Sequence, residues 1–275
     1  MINERQSKIL SFLNTHGEAK TAQLLALCDD CSSMTVWRDL EKLEKDGFLV
    51  RVRGGAILSG GGENGQEANF TSRAKQNIGA KEEIAKLATH LISTNRAYYF
   101  DAGSTIYTLV RSLPEGHYTV VTSAANTASE LSRHSGSNIT LLGGQMNGST
   151  LSCSGPQAEQ MLSSMNIDIA VMATSGYSSS GGFTSGCLTE AQLKRQVIGK
   201  AAVTIMLMDH GKIGKSHPFT FATLSDVDVL VSDSQLTEDF VNYVETQGVR
   251  VFSPKDGLSR VERDGICREL FASKL

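Results

Sequence analysis

Residues 32–56 read Ser-Ser-Met-Thr-Val-Trp-Arg-Asp-Leu-Glu-Lys-Leu-Glu-Lys-Asp-Gly-Phe-Leu-Val-Arg-Val-Arg-Gly-Gly-Ala. The short hydroxyl of Ser32 suits a helix start, and Val36, Leu40 and Leu43 follow at three- and four-residue spacing. The segment therefore predicts a capped helix to about Lys45 with one buried stripe. Asp46-Gly47 stops it. Phe48–Arg53 then alternate as an edge strand does, and Gly54-Gly55 turn the chain into a return strand. Upstream, Ile9, Leu10, Phe12 and Leu13 make residues 4–15 an amphipathic helix that ends at His16-Gly17. Thr21 is the expected cap of a second helix with Leu24, Leu25 and Leu27 inward, and Asp29-Asp30 supply the turn before Ser32. Two helices, a turn, a third helix and a basic hairpin, in that order, are what a winged helix-turn-helix needs to grip DNA. Ser32, Ser33, Thr35, Trp37 and Arg38 on the third helix and Arg51 and Arg53 on the wing are the expected DNA-binding residues. Trp37 has two open readings, stacking on a DNA sugar or packing against the wing.

Bulk charge does not make that case. Residues 1–58 hold eight Lys and Arg against eight Asp and Glu, and the whole chain carries −3. The DNA argument rests on where Arg38, Arg51 and Arg53 sit. The 275 residues leave room for a small domain and a full α/β domain, and 40% hydrophobic with 20% charged residues is ordinary for a soluble protein. No apolar run approaches the roughly 18–20 residues of a membrane span. The opening Met-Ile-Asn-Glu-Arg-Gln-Ser-Lys has no apolar core for a signal peptide, so a cytoplasmic protein is expected. Five scattered Cys imply no disulfide framework. Cys28-Asp-Asp-Cys31 has zinc-like spacing, but no second Cys/His pair lies near it in sequence, so both are expected to pack in the turn.

Residues 59–69, Ser-Gly-Gly-Gly-Glu-Asn-Gly-Gln-Glu-Ala-Asn, read as a flexible linker. The expected division is a DNA-binding domain at 1–58, a linker at 59–74 and an α/β domain at 75–275. Beyond residue 81 helices and strands alternate. Helices are expected at 82–92, 105–113, 124–133, 190–200, 237–246 and 261–271, and strands at 97–100, 118–121, 139–142, 167–172, 203–208, 227–231 and 249–252. Buried strands interleaved with helices mean a mostly parallel sheet covered on both faces.

In such sheets ligands sit beyond the carboxyl ends of the strands. Asp101-Ala-Gly-Ser-Thr105 lies there, with Gly103 at the turn, hydroxyls on Ser104 and Thr105, and the free N–H groups of the following helix. Alone it reads first as a plain strand-to-helix turn with Ser104 as cap. Thr122-Ser123-Ala-Ala-Asn126, Gly143-Gly144, Asp209-His-Gly-Lys212 and a Gly/Ser-rich loop at 175–186 occupy equivalent positions. Together they imply one cleft for a small, polar, phosphorylated ligand. Lys194 and Lys212 would supply positive charge, and Asp101 and Asp209 would accept bonds from sugar hydroxyls. Glu190 and Lys194 are four apart on one helix, which by itself reads as a surface salt bridge, and His210 reads as a solvated loop histidine.

Ser32, Thr35, Val36, Arg38, Asp39, Leu40 and Gly54-Gly55-Ala56 resemble the helix-turn-helix of DeoR-type bacterial regulators, with Trp37 where that family carries an Arg. Residues 75–233 resemble the same family's sensor domain, which is similar in fold to ribose-phosphate isomerases. Asp101-Ala-Gly-Ser-Thr105, Leu142-Gly143-Gly144 and Asp209-x-x-Lys212 match its pattern, and Thr122-Ser123 stands where Thr-Asn is more usual. The resemblance implies a repressor of sugar-catabolism genes controlled by a phosphosugar, with Glu190 and Lys194 at the mouth of the cleft and no catalytic residue, cofactor or metal. One DNA-reading module buries too little surface for tight binding, so a homodimer or homotetramer is expected. The alternative is a sugar-phosphate isomerase or deaminase carrying an accessory DNA-binding domain, for which Asp209 and Glu190 are the candidates to move a proton.

Overall fold

The computed structural model describes residues 3–16, 18–28, 31–45, 48–52, 54–58 and 69–256, with isolated positions 265, 268, 272 and 274. The chain forms two compact units, Met1–Gln76 and Asn77–Leu275.

The first unit holds α1 (Glu4–His16), β1 (Glu18–Lys20), α2 (Thr21–Ala26), α3 (Ser33–Lys45), β2 (Leu49–Val52), β3 (Gly55–Leu58) and α4 (Phe70–Lys75). Ile9, Leu13, Leu24, Val36, Leu40, Leu43 and Phe48 are its buried core. Ser32 caps α3 as its position predicts: its Oγ accepts the Thr35 N–H at 3.2 Å and lies 2.9 Å from the Thr35 hydroxyl. Thr21 is not the cap of α2 but its first residue, and the Gln23 side chain takes the Lys20 N–H at 2.8 Å. Leu24 is buried there, while Leu25 and Leu27 are only half-buried. Glu18–Lys20, too short to show a pattern, pairs antiparallel with β3, so the small sheet runs β1-β3-β2 with β2 at the edge. A Cβ on Gly55 would lie 2.1 Å from the Ala19 carbonyl oxygen, which is why that strand pair needs glycine there. Asp39 ties α3 to α1. Its buried carboxylate accepts the Gln6 amide at 2.7 Å and the Arg5 guanidinium. Burial alone would raise this carboxyl, and the Arg5 and Gln6 bonds outweigh it, holding the group below the usual carboxylate range. Within the expected linker, residues 70–75 form α4 because the Asn69 side chain caps it, accepting the Ser72 N–H at 2.8 Å. Arg53, the turns Asp29-Asp30 and Asp46-Gly47, and residues 59–68 lie outside the described residues.

The second unit runs α5 (Ile78–Ala88), β4 (Ala97–Phe100), α6 (Ser104–Ser112), β5 (Thr119–Thr122), α7 (Ala125–Leu131), β6 (Asn138–Leu141), β7 (Gln145–Asn147), β8 (Ser152–Ser154), α8 (Pro156–Ser163) and β9 (Ile167–Ala173). It continues with β10 (Gly176–Ser178), β11 (Gly182–Ser185), α9 (Leu188–Lys200), β12 (Ala201–Leu207), β13 (Phe219–Ala222), β14 (Val229–Val231), α10 (Glu238–Thr246) and β15 (Arg250–Phe252). Seven strands form a parallel sheet in the order β15-β14-β12-β9-β4-β5-β6. Strand alternation feeds two cores. Tyr98, Phe100, Ile169, Val171, Val203 and Ile205 pack on one face, and Tyr99, Ala170, Met172, Met206 and Leu230 on the other. The strand order reverses at β4, with β5 and β6 on one side and β9 on the other, so the crevice a ligand would use opens beyond β4 and β9.

Two expectations are corrected here. Residues 175–186 are not a loop: β10 and β11 form a hairpin whose second strand pairs with β13, burying Tyr177 and Phe183. Two aromatics among Gly and Ser are too few to show a period-two pattern in sequence. The stretch 145–163 holds β7, β8 and α8, and α5 starts at Ile78 instead of residue 82. The helix expected at 261–271 lies largely outside the described residues. No helix among the described residues is long and apolar enough to cross a membrane.

Candidate functional site

Asp101 follows β4 directly and is buried. Its carboxylate accepts the Ala173 N–H at the end of β9 at 3.0 Å and is paired with the Lys194 ammonium. Lys194 also donates to the Ala173 carbonyl at 2.8 Å and lies 4.9 Å above the centre of the Phe221 ring. A charge taken out of water needs this kind of partner set. One turn earlier on α9, the buried Glu190 accepts the Thr150 hydroxyl at 2.7 Å and the Ser152 hydroxyl at 2.6 Å. The surface salt bridge between Glu190 and Lys194 is thereby overturned, and so is their placement at a cleft mouth: both are buried, each bonded to a different partner. The Tyr99 hydroxyl donates to Ser123 Oγ at 2.9 Å, and burial, followed by the Asp101 charge, pushes its phenol well above the usual value. Tyr99, Asp101, Ser123, Ser152, Glu190 and Lys194, with Ala102, Cys153 and Leu193, line one pocket. Its free space is about 10 Å³, room for about one water.

The remaining expected residues surround this pocket or stand apart from it. Thr122 is fully buried, and its Oγ accepts the Ala124 N–H at 3.1 Å, shaping the turn after β5. Ser104 and Thr105, after Gly103, are buried in the first turn of α6. Asn126 opens α7 with both amide atoms buried and no hydrogen-bond partner among the described residues, and the Thr127 hydroxyl shares that condition. Gly143 and Gly144 are exposed beyond β6, and Gly144 has a φ of 119° with its would-be Cβ 2.7 Å from the Ser154 carbonyl oxygen. Asp209 and Lys212 do not join the pocket. They follow β12, two strands and about 10 Å from β4. Asp209 caps the short 3-10 turn His210–Lys212, accepting Gly211 N–H at 3.1 Å and the Asn77 amide at 2.8 Å. His210 is not simply solvated, since its Nδ1 sits 3.0 Å from the buried Asp233. The residues that sequence missed, Thr150, Ser152 and Tyr99, lie in a Ser/Thr-rich stretch that reads as loop and in an apolar strand. Among the described residues no group of three or more His, Cys, Asp or Glu is placed to hold a metal ion.

In the first unit α3 exposes Ser32, Ser33, Met34, Trp37 and Arg38, with Thr35 half-buried. The Arg51 guanidinium lies 4.3 Å from the centre of the Trp37 ring, so the wing packing considered for Trp37 exists, while the side chain stays 54% exposed. Arg51 is held, not splayed. Its Nε donates to Glu44 Oε2 at 2.6 Å and its backbone N–H to Oε1 at 2.8 Å, while its Nη1 is buried without a partner among the described residues. Those bonds, the backbone one foremost, keep the Glu44 carboxyl below its usual range.

A family description of the DeoR C-terminal sensor domain matches residues 76–234, and one of the DeoR-like helix-turn-helix domain matches residues 5–59. The chain belongs to the DeoR family. Over 248 residues this DeoR-family chain is 32% identical to the HTH-type transcriptional repressor GlcR of Bacillus subtilis, covering 90% of this chain and 95% of the relative. It is 29% identical over 248 residues to the L-fucose operon activator of Haemophilus influenzae, covering 90% and 98%. Among solved structures, ribose 5-phosphate isomerase A of Neisseria gonorrhoeae aligns at a TM-score of 0.36 and 14% identity, over 50% of this chain and 53% of the other. DeoR-family membership makes the chain a helix-turn-helix transcriptional regulator with a sensor domain.

Proposed function

We propose that this DeoR-family regulator represses carbohydrate-catabolism genes and that a phosphorylated sugar, bound where β4 and β9 end, controls its hold on operator DNA. The observation that carries the reading is the convergence of Asp101, Ser123, Glu190 and Lys194 beyond β4 and β9, around a pocket that is closed down to about one water and opens to admit the sugar in this reading. Carboxylates suit sugar hydroxyls, and an ammonium with the first turns of α6 and α7 suits a phosphate. The buried Asn126 amide, without a partner among the described residues, suits a bond to such a ligand. In this reading Asp101, Ser123, Glu190 and Lys194 are the inner contacts, and Gly103, Ser104, Thr105, Thr122, Asn126, Gly143 and Gly144 the outer ones. Asp209 and Lys212 serve the turn after β12. Ser33, Thr35 and Arg38 face the major groove, Ser32 caps their helix, Trp37 offers its free ring face, and the wing with Arg51 and Arg53 follows the backbone. The chain works in the cytoplasm as a homodimer or homotetramer, with a DNA-binding domain at 1–58, a connecting segment at 59–74 and an effector domain from 75. It is assigned no catalysis. Asp209 accepts the Asn77 amide and the Gly211 N–H as the cap of a turn, and Glu190 accepts the Thr150 and Ser152 hydroxyls.

The test is anisotropy binding of the full chain to its own promoter and to random duplex, with and without a panel of sugar phosphates. The promoter should bind about 10³-fold tighter or better, and at least one phosphosugar should shift the midpoint by about 5- to 150-fold. Equal binding to both duplexes, together with no phosphosugar raising the melting temperature, would end the proposal. A promoter–reporter fusion gives the sign of regulation, since one relative is named a repressor and another an activator. Incubation with pentose and hexose phosphates in heavy water should leave carbon-bound deuterium at background.

A further inference from the structure

Cys28 and Cys31, which flank the turn between α2 and α3, have no part in the reading above. Cys28 is buried and Cys31 half-buried. Both line one groove of about 430 Å³ together with Arg5 and Lys8. The Cys31 N–H donates to the Cys28 carbonyl at 3.0 Å. In a pair three residues apart such a bond keeps the two Cα atoms within about 7 Å, close to the 4.4–6.8 Å that a disulfide spans. Arg5 Nη1 lies 3.5 Å from Cys31 Sγ, and Nε of the same guanidinium donates to Asp39 on α3. One side chain therefore touches both the outer thiol and the carboxylate that seats the DNA-facing helix.

We propose that Cys28 and Cys31 are a redox-sensitive pair that closes a disulfide under hydroperoxide, unseats α3 through Arg5 and lowers DNA affinity. Cys31, the more exposed sulfur, attacks the peroxide. An S–O bond forms, the O–O bond breaks, and the departing hydroxide leaves as water after taking the thiol proton. Cys28 sulfur then attacks Cys31, forming the S–S bond and expelling the second water. Two thiols and one hydrogen peroxide become one disulfide and two waters, with two electrons passing from sulfur to peroxide oxygen. Burial, then the neighbouring Cys31 sulfur, push the Cys28 thiol up, so the closing step quickens as pH rises. Closure draws the sulfurs to about 2.0 Å and removes the thiol that Arg5 touches. The consequence for Asp39 follows, because Arg5 cannot track the moved sulfur and hold its carboxylate bond in the same geometry.

The DNA effect rests on the function proposed above, so the test has readouts that do not involve DNA. Full-length protein is treated with hydrogen peroxide, digested and weighed. The peptide bearing Cys28 and Cys31 should lose about 2 Da and both alkylation sites, reversibly with dithiothreitol. Trp37, the single tryptophan and a residue of α3, should change its emission in step. Promoter affinity should fall about tenfold, within the usual range for a coupled switch. Cys31→Ser should abolish all three responses, and Cys28→Ser should accumulate a sulfenic acid trapped by a 1,3-dione. No linked peptide, or a linked peptide with unchanged Trp37 emission, overturns the proposal. If the reduced chain ignores its promoter, the proposed function fails while the mass and emission changes still decide the switch.

Discussion

Lys194→Met strips the ammonium from a carboxylate that has no second cation to turn to among the described residues. The Asp101 side chain is 2% exposed and that of Lys194 9%, so the pair is a buried one. Methionine keeps the stem length and the contact with Phe221, so little packing is lost. Asp101 then retains the Ala173 N–H alone, and the Ala173 carbonyl loses its donor. Removing one partner of a buried pair costs about 3–5 kcal/mol, and at about 2–4 °C per kcal/mol for a unit of this size the melting temperature falls by roughly 6–20 °C. Asp101→Asn combined with Lys194→Met removes the stranded charge while keeping an acceptor for Ala173, so the double variant should regain most of the loss, with a coupling of about 2–3 kcal/mol in the cycle. Urea denaturation of the full chain by far-UV circular dichroism measures this, and emission from Trp37 follows the first unit separately. A loss below about 1 kcal/mol in Lys194→Met, the value of an exposed pair, would refute the burial argument. So would a double variant no more stable than the single one.

Gly144→Ala should cost about 1–3 kcal/mol or more, read as a lower melting temperature, because the backbone at φ 119° disfavours a side chain and the Cβ would meet the Ser154 carbonyl. Asp39 sets an acid limit on the first unit. Its carboxyl is held low in the folded state, so it contributes stability above about pH 4 that drains away as pH falls through the folded value. Trp37 emission against pH should show that limb, and Asp39→Asn should flatten it. Arg38→Ala should make the log–log salt dependence of promoter binding shallower by about 0.9, one phosphate contact, and an unchanged slope would remove Arg38 from the interface.

Helices α1 and α3 were legible because their signals are local: the Ile9 and Leu13 stripe, the Val36, Leu40 and Leu43 stripe, and the Ser32 cap all act within a turn or two of chain. The parallel sheet was legible because apolar runs such as Ala97–Phe100 lie between helical patterns, here those expected at 82–92 and 105–113. β1 was not, since three residues become a strand only by pairing with β3. The β10–β11 hairpin was not, since its Gly and Ser hide a partner strand that arrives about forty residues later as β13.

Site residues divide in the same way. Asp101, Ser123, Glu190 and Lys194 could be named from polar positions at strand ends and from family likeness, but their bonding could not. Helical spacing puts Glu190 and Lys194 on one face and suggests that they pair with each other. The folded sheet instead gives Lys194 to Asp101, 93 residues away, and Glu190 to Thr150, 40 residues away. Periodicity and caps are written in neighbouring residues because a helix bonds to itself. Which charge meets which across a sheet depends on strand order and burial, and those exist only once the whole chain has packed.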